Sequence, residues 1–180
     1  MERLIKQKEI ALSLIKEKYG SVVDKGGHPY LNHLLFVSDK IKEIREDLSK
    51  YTEADDVIIE FYEKGEIVAL LHDILEDTDT TVNELKSYGF DDDIIEAVIN
   101  ITREKNENSY FLYIEKVRKN DLSKLVKIYD LENNMDIKRL KKLAKNDFKR
   151  LNKYWNCWRY LRGEITSYEC QGNIINFKLK

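Results

Sequence analysis

The stretch ALLHDILEDTDTT, residues 69–81, sets a histidine and four acids (Asp73, Glu76, Asp77 and Asp79) beside an apolar run at residues 67–71. Polar groups that close to a core need partners, and charged ones need them most. Neighbours on a helix differ by ~100° and rise ~1.5 Å, so on one helical segment His72 and Asp73 both reach a point beside the axis. Glu76 lies one turn beyond His72, and Asp77 one turn beyond Asp73. Such a surface can hold a divalent cation and orient a water near it. Imidazole with carboxylates suits Mn, Fe, Zn or Mg, so the ligand types alone do not choose the ion.

A single helix cannot complete that shell, and the search for further ligands moves outward. The chain has 3 histidines. His28 and His33 both lie in GGHPYLNHLLF, and His33 opens a helix whose apolar stripe should face the core. A further acid, Asp130, interrupts an apolar helix face in KLVKIYDLENN, as a ligand would. Asn134 is one turn on from it and Lys127 nearly one turn back. Each residue also has a plainer reading. His72 and Asp73 can be a hydrogen-bonded core pair. DILEDTDTT can be a helix end running into a polar loop, and Asp130 a solvated partner of Lys127. Their joint order and spacing favour a site.

The rest of the chain predicts an all-α fold of about eight helices. In 180 residues there are 1 Pro and 7 Gly, which favours long helices over many strands. Leu4, Ile5, Leu12, Ile15 and Tyr19 mark a first helix. Pro29 suits the first turn of a second, with a stripe at Leu34, Val37, Ile41, Ile44 and Leu48. Asp55 or Asp56 caps a third helix, with a break at Gly65. Thr81 and Glu84 have capping-box spacing. Residues 91–102 read as a helix; Ser109 and Asp121 cap two more. The last long helix reads from Leu140 through Leu143, Ala144, Phe148, Leu151, Trp155 and Trp158 to Leu161. ITSYEC and NIINFKL, flanking Gln171-Gly172, suggest a small C-terminal β-hairpin. The expected division is residues 1–163 as one domain and 164–180 as a C-terminal extension.

With these motifs in place, the chain resembles the HD-domain metal-dependent phosphohydrolases. More specifically, HPYLNHLLFV, ALLHDILEDTDTT and VKIYDLENNMD are similar to the hydrolase domain of the RelA/SpoT family and its small stand-alone alarmone hydrolases. The likeness covers roughly residues 10–136. It implies an HD-domain helical bundle with one divalent ion, usually Mn²⁺, held by His33, His72, Asp73 and Asp130. Glu76 and Asp77 match the acidic pair that positions and deprotonates the attacking water. The implied reaction removes the 3′-pyrophosphate from guanosine tetra- or pentaphosphate. Lys25 falls where the family carries a basic residue near substrate, Arg103 in its Thr-Lys position, and Asn134 on its nucleotide-side Asn. Lys127 would join Lys25 and Arg103 in offsetting substrate charge. Tyr129 stands where an Ala is usual and Leu131 where an Arg is common; both positions are expected nearer the substrate than the ion. Other phosphorylated nucleotides, NADPH or a nucleoside monophosphate, are the alternative substrates.

Residues 138–162 hold ten Lys or Arg and one acid, Asp147. A solvated helix face explains such a run, with Trp155 and Trp158 packed beneath it. The rival is a non-catalytic nucleotide- or RNA-binding module. The net charge of −2 argues against nucleic acid as partner of the whole domain. The partner expected is a small phosphorylated nucleotide. No apolar run approaches membrane-spanning length. The 2 cysteines, Cys157 and Cys170, lack metal-binding spacing, so a cytoplasmic setting is the expectation.

Overall fold

The computed structural model describes residues 2–51, 55–104 and 109–171. Among them the fold is helical throughout: α1 (Glu2–Tyr19), α2 (Leu31–Tyr51), α3 (Asp56–Leu71), α4 (Ile74–Asp77), α5 (Val82–Ser87), α6 (Asp92–Ile101), α7 (Tyr110–Arg118), α8 (Asp121–Asn134), α9 (Lys145–Leu161) and α10 (Ser167–Cys170). A 3-10 turn, Ile137–Arg139, follows α8. No helix is long and apolar enough to cross a membrane among the described residues.

The centre is α3. Every residue from Gly65 to Leu71 on it is buried, the charged Glu66 included, as expected where a helix end is surrounded by others on every side. It packs against α1, α2, α6 and α8. Gly65 does not break it. A Cβ there would sit 3.1 Å from Leu125 Cδ2 and 3.3 Å from Ile41 Cγ2, so the missing side chain lets α2 and α8 close on α3. Asp55 caps this helix, accepting from Val57 N–H at 3.0 Å. The Thr81–Glu84 capping box forms, and Ser109 caps α7.

Two apolar clusters result. The larger joins α1, α2, α3, α6 and α8 through residues such as Ile15, Leu34, Leu70, Ile94 and Val126. The smaller joins α7, α8, α9 and α10 through Tyr113, Val117, Leu131, Cys157 and Leu161. Helix α8 belongs to both, and Asp130 lies on it between them.

Several expectations are corrected. The first helix buries Leu4, Ala11, Leu14, Ile15 and Tyr19, while Ile5 is exposed. Pro29 lies outside α2, in an antiparallel bridge with Val23; its ring cannot donate, and the next turn begins at Leu31. Asn120, not Asp121, caps α8 by accepting from Ser123 N–H at 2.9 Å. Helix α9 starts at Lys145, so Leu140, Leu143 and Ala144 precede it. Phe148 and Trp155 face outward, because α7, α8 and α10 meet α9 on the side of Cys157, Tyr160 and Leu161. ITSYEC is not a hairpin arm: Thr166 and Glu169 form a capping box for one helical turn, Ser167–Cys170. Its expected partner arm, NIINFKL, lies outside the described residues.

Candidate metal centre

Three elements supply the site. His33 sits in the first turn of α2, His72 and Asp73 lie at the junction of α3 and α4, and Asp130 is on α8. HDILED is therefore not one uninterrupted helix. The α-helical hydrogen bonding lapses at His72 and Asp73, with Asp73 at φ −101°, ψ −1°. Glu76 and Asp77 N–H then return to Asp73 O at 3.1 and 2.9 Å. The break frees His72 to fold back on its own helix, where Nδ1 meets Ala69 O at 2.7 Å.

That contact fixes the chemistry. Ala69 O can only accept, so His72 Nδ1 carries the hydrogen and Nε2 presents a lone pair whenever the ring is neutral. His33 is arranged in the same way, with Nδ1 on Asn133 Oδ1 at 2.8 Å. Its Nε2 lies 3.1 Å from Asp130 Oδ1 and 3.7 Å from Asp73 Oδ2. His72 Nε2 lies 3.1 Å from Asp73 Oδ2 and 3.6 Å from Asp130 Oδ1. Donor atoms of His33, His72 and Asp73 fall within 4.8 Å of one another. Although His72 Nε2 is this close to two carboxylates, it is buried without a hydrogen bond of good geometry. Three acceptor atoms thus gather in one place, with Asp130 Oδ1 beside the two imidazoles, and the group needs positive charge. A proton supplies it in the metal-free chain: burial opposes the charged imidazole of His72, but Asp73 and Asp130 push its pKa up to about 10. Burial likewise opposes Asp73, yet His72 holds its carboxyl down at about 2. A two-imidazole, two-carboxylate set fits a divalent metal equally well, with the proton displaced.

The surroundings hold these side chains in place. Tyr30 donates its hydroxyl to Asp73 Oδ2 at 2.5 Å. Burial and the Asp73 charge raise the phenol, so it stays a donor. Lys127 Nζ meets Asp130 Oδ2 at 2.7 Å, and Asn134 Nδ2 donates to Asp130 Oδ1 at 2.6 Å. Burial opposes the Asp130 charge, but Lys127 and the imidazoles keep the carboxyl well below the usual range.

The two remaining acids stand at the cleft beside this cluster. Asp77 is raised by burial and by the Asp73 and Glu76 charges. Glu76 accepts from the Arg103 N–H at 3.1 Å. A cleft of about 230 Å³ is lined by Asp73, Glu76, Asp77 and Asp130 together with Arg103, Lys127 and Lys153. A larger one, about 470 Å³, carries Lys18, Lys25, Arg139 and Arg150. Tyr30, Asp77, Asn134 and Tyr154 line both. Lys25 thus stands in the outer cleft, apart from the His–Asp cluster, while Arg103, Lys127 and Asn134 line the inner one. Tyr129 and Leu131 line neither and pack against the two apolar clusters. Leu131 is a core residue, and Tyr129 is half-buried against the larger cluster.

Sequence reasoning passed over Tyr30, Asn133 and Arg139. Tyr30 was visible in the PYLNH motif without a role. Asn133 was hidden beside Asn134, and Arg139 inside a basic run.

No family model matches the chain. Over 76 residues, 42% of its length, it is 40% identical to the guanosine-3′,5′-bis(diphosphate) 3′-pyrophosphohydrolase of Aquifex aeolicus (strain VF5). The chain spans 9% of the length of that curated relative. It is also similar to the solved structure of a metazoan ortholog of SpoT, which hydrolyzes ppGpp and plays a role in starvation responses. There the TM-score is 0.68 over 93% of this chain and 97% of that one, at 21% identity, a likeness of fold. The helical architecture is thus the fold of that solved structure, and 76 residues of the chain are similar in sequence to part of the Aquifex enzyme.

Proposed function

We propose that the chain is a metal-dependent phosphohydrolase acting on a small phosphorylated nucleotide. The first substrate is guanosine 3′,5′-bis(diphosphate), cleaved at its 3′-pyrophosphate. The observation that carries this reading is the gathering of His33, His72 and Asp73 acceptor atoms, with Asp130 against both imidazoles, beside two further acids and a cleft that also carries cations. The family resemblance names Mn²⁺ as the ion. When bound, a dication of this kind lowers the pKa of a water and screens phosphate oxygens.

The chain's own groups do the remainder. Asp77, or Glu76 beside it, accepts the proton of the attacking water. Asp77 has the more basic carboxylate, because burial and two neighbouring acids raise it. The Arg103 and Lys127 side chains face the cleft and offset phosphate charge, with Lys127 also neutralising the outer oxygen of Asp130. Lys25 in the outer cleft reaches the other diphosphate, and Asn134, which lines both clefts, sits on the nucleotide side. The relatives named above are ppGpp hydrolases by name, which supports the same substrate.

The test is phosphate and pyrophosphate release with Mn²⁺ from a panel of ppGpp, NADPH and nucleoside monophosphates. Pyrophosphate released from ppGpp by the native chain, and lost in His72→Ala, is the expected result. Turnover confined to NADPH or a monophosphate would move the assignment to another nucleotide phosphatase. RNA retention with a steep salt slope and no turnover would replace it with a binding module.

A further inference from the structure

The tautomer of His33 is held from outside the ligand set. Its Nδ1 faces the side-chain oxygen of Asn133, itself buried. An amide can turn either its oxygen or its NH₂ toward a ring nitrogen, and shape alone barely separates the two. Arg139 separates them. Its Nη1 donates to the same Asn133 Oδ1, and also to Asn133 O at 3.1 Å. A guanidinium has donors only, so the amide atom between Arg139 and His33 must be the oxygen. Arg139 Nη1 also stands 3.4 Å from His33 Nδ1, but Asn133 Oδ1 is nearer, at 2.8 Å, and can only accept, so the ring hydrogen goes to Nδ1 and the neutral imidazole presents Nε2 as a lone pair toward Asp130 and Asp73.

Arg139 is anchored in turn. Its Nη2 and Nε meet Asp24 Oδ2 at 3.0 and 3.3 Å. The other carboxylate oxygen accepts from Gly26 and His28 N–H at 2.8 and 2.9 Å. Burial opposes the Asp24 charge, but these N–H groups and Arg139 hold its carboxyl below the usual range. Gly26 makes the contact sterically feasible, since a Cβ there would lie 1.9 Å from Arg139 O. A chain therefore runs from the loop before α2, through the turn after α8, to a ligand at the start of α2.

We propose that Arg139, anchored by Asp24, is a positioning residue. It orients the Asn133 amide, fixes the hydrogen on His33 Nδ1 and so sets how tightly the centre takes up a divalent ion. The inference rests on the reading of His33 as a ligand, but its local half can be tested without a metal. In the metal-free full-length chain, the His33 Nδ1–H should give a slowly exchanging downfield proton resonance. Arg139→Met should abolish that resonance and weaken Mn²⁺ binding, read by calorimetry, about 10-fold. Adding Asn133→Asp to Arg139→Met should restore both, because a carboxylate accepts from either of its oxygens and needs no orienting donor. Asp24→Asn, which keeps the arginine but loosens its anchor, should shift both in the same direction by less, and it carries the test if Arg139→Met does not fold. A folded Arg139→Met that keeps the resonance and native Mn²⁺ affinity overturns the proposal. A native chain that binds no Mn²⁺ but loses the resonance on substitution retains the positioning role and rejects the metal reading.

Discussion

In the proposed reaction, His72 Nε2 and Asp77 divide the work of the site between holding charge and moving a proton. The first is a buried ring nitrogen beside two carboxylates with no hydrogen bond of good geometry. The second is a carboxyl at the cleft, raised by burial and neighbouring acids. As proton acceptor, Asp77 works only when ionised, so its raised pKa places the acid limb of turnover above the ~3.9 of a free aspartate. Asp77→Asn should lower kcat by about 10²-fold or more while Mn²⁺ still binds, read by steady-state kinetics beside calorimetry. Loss of metal binding in that variant would assign Asp77 to the ligand set instead.

At the scale of elements, α3 is held by two devices that the catalytic reading does not use. Glu66 is 1% exposed and accepts from Lys8 of α1 and from Arg45 Nε of α2, the latter at 2.6 Å. Removing Glu66 leaves the partly exposed Lys8 and Arg45 without their anion, though both can turn toward water. Glu66→Ala should therefore destabilise the chain by about 1–2 kcal/mol, measured by urea denaturation. Equal stability of the two proteins would show the triad to be adequately solvated. Gly65 is the second device. Gly65→Leu pushes a branched side chain against Leu125 and Ile41, which stand 3.1 and 3.3 Å from the first added carbon. A loss of about 1–3 kcal/mol is expected, seen as a lower urea midpoint. Because α8 carries Asp130, the same variant should weaken Mn²⁺ binding as well.

Across the whole molecule, the centre ties α2, the α3–α4 junction and α8 together, so its occupancy should be felt as global stability. An ion at about 100 times its dissociation constant adds about 2.7 kcal/mol, or roughly 5–10 °C in Tm for a chain of this size. The pH dependence has a definite sign. In the metal-free chain the His72 pKa is raised to about 10, so its contribution is complete below the unfolded value of ~6.5 and is lost as pH rises through the folded one. A metal needs the neutral ring and displaces that proton. The Tm gain on adding Mn²⁺ should therefore grow from pH 6 to pH 8. A gain independent of pH would place the ion away from His72.

Much of this was legible in the residues. His33, His72, Asp73 and Asp130 could be named because imidazoles and acids interrupting apolar helix faces are costly unless something holds them. The helical class and caps such as Asp55, Thr81 and Ser109 followed from local spacing, which needs only neighbours in sequence; about eight helices were expected and ten are present among the described residues. The break at His72, the outward turn of Trp155 and the core role of Leu131 did not follow, since each depends on which helix lies alongside. Asp24, Asn133 and Arg139 are the sharpest case. A hydrogen-bond chain spanning 115 positions between Asp24 and Arg139 has no period to read. The sequence by itself determined an all-helical chain with a His–Asp cluster. Only the tertiary structure decided which ring nitrogens face that cluster, because a tautomer is set by the atom across from it and that atom comes from elsewhere in the fold.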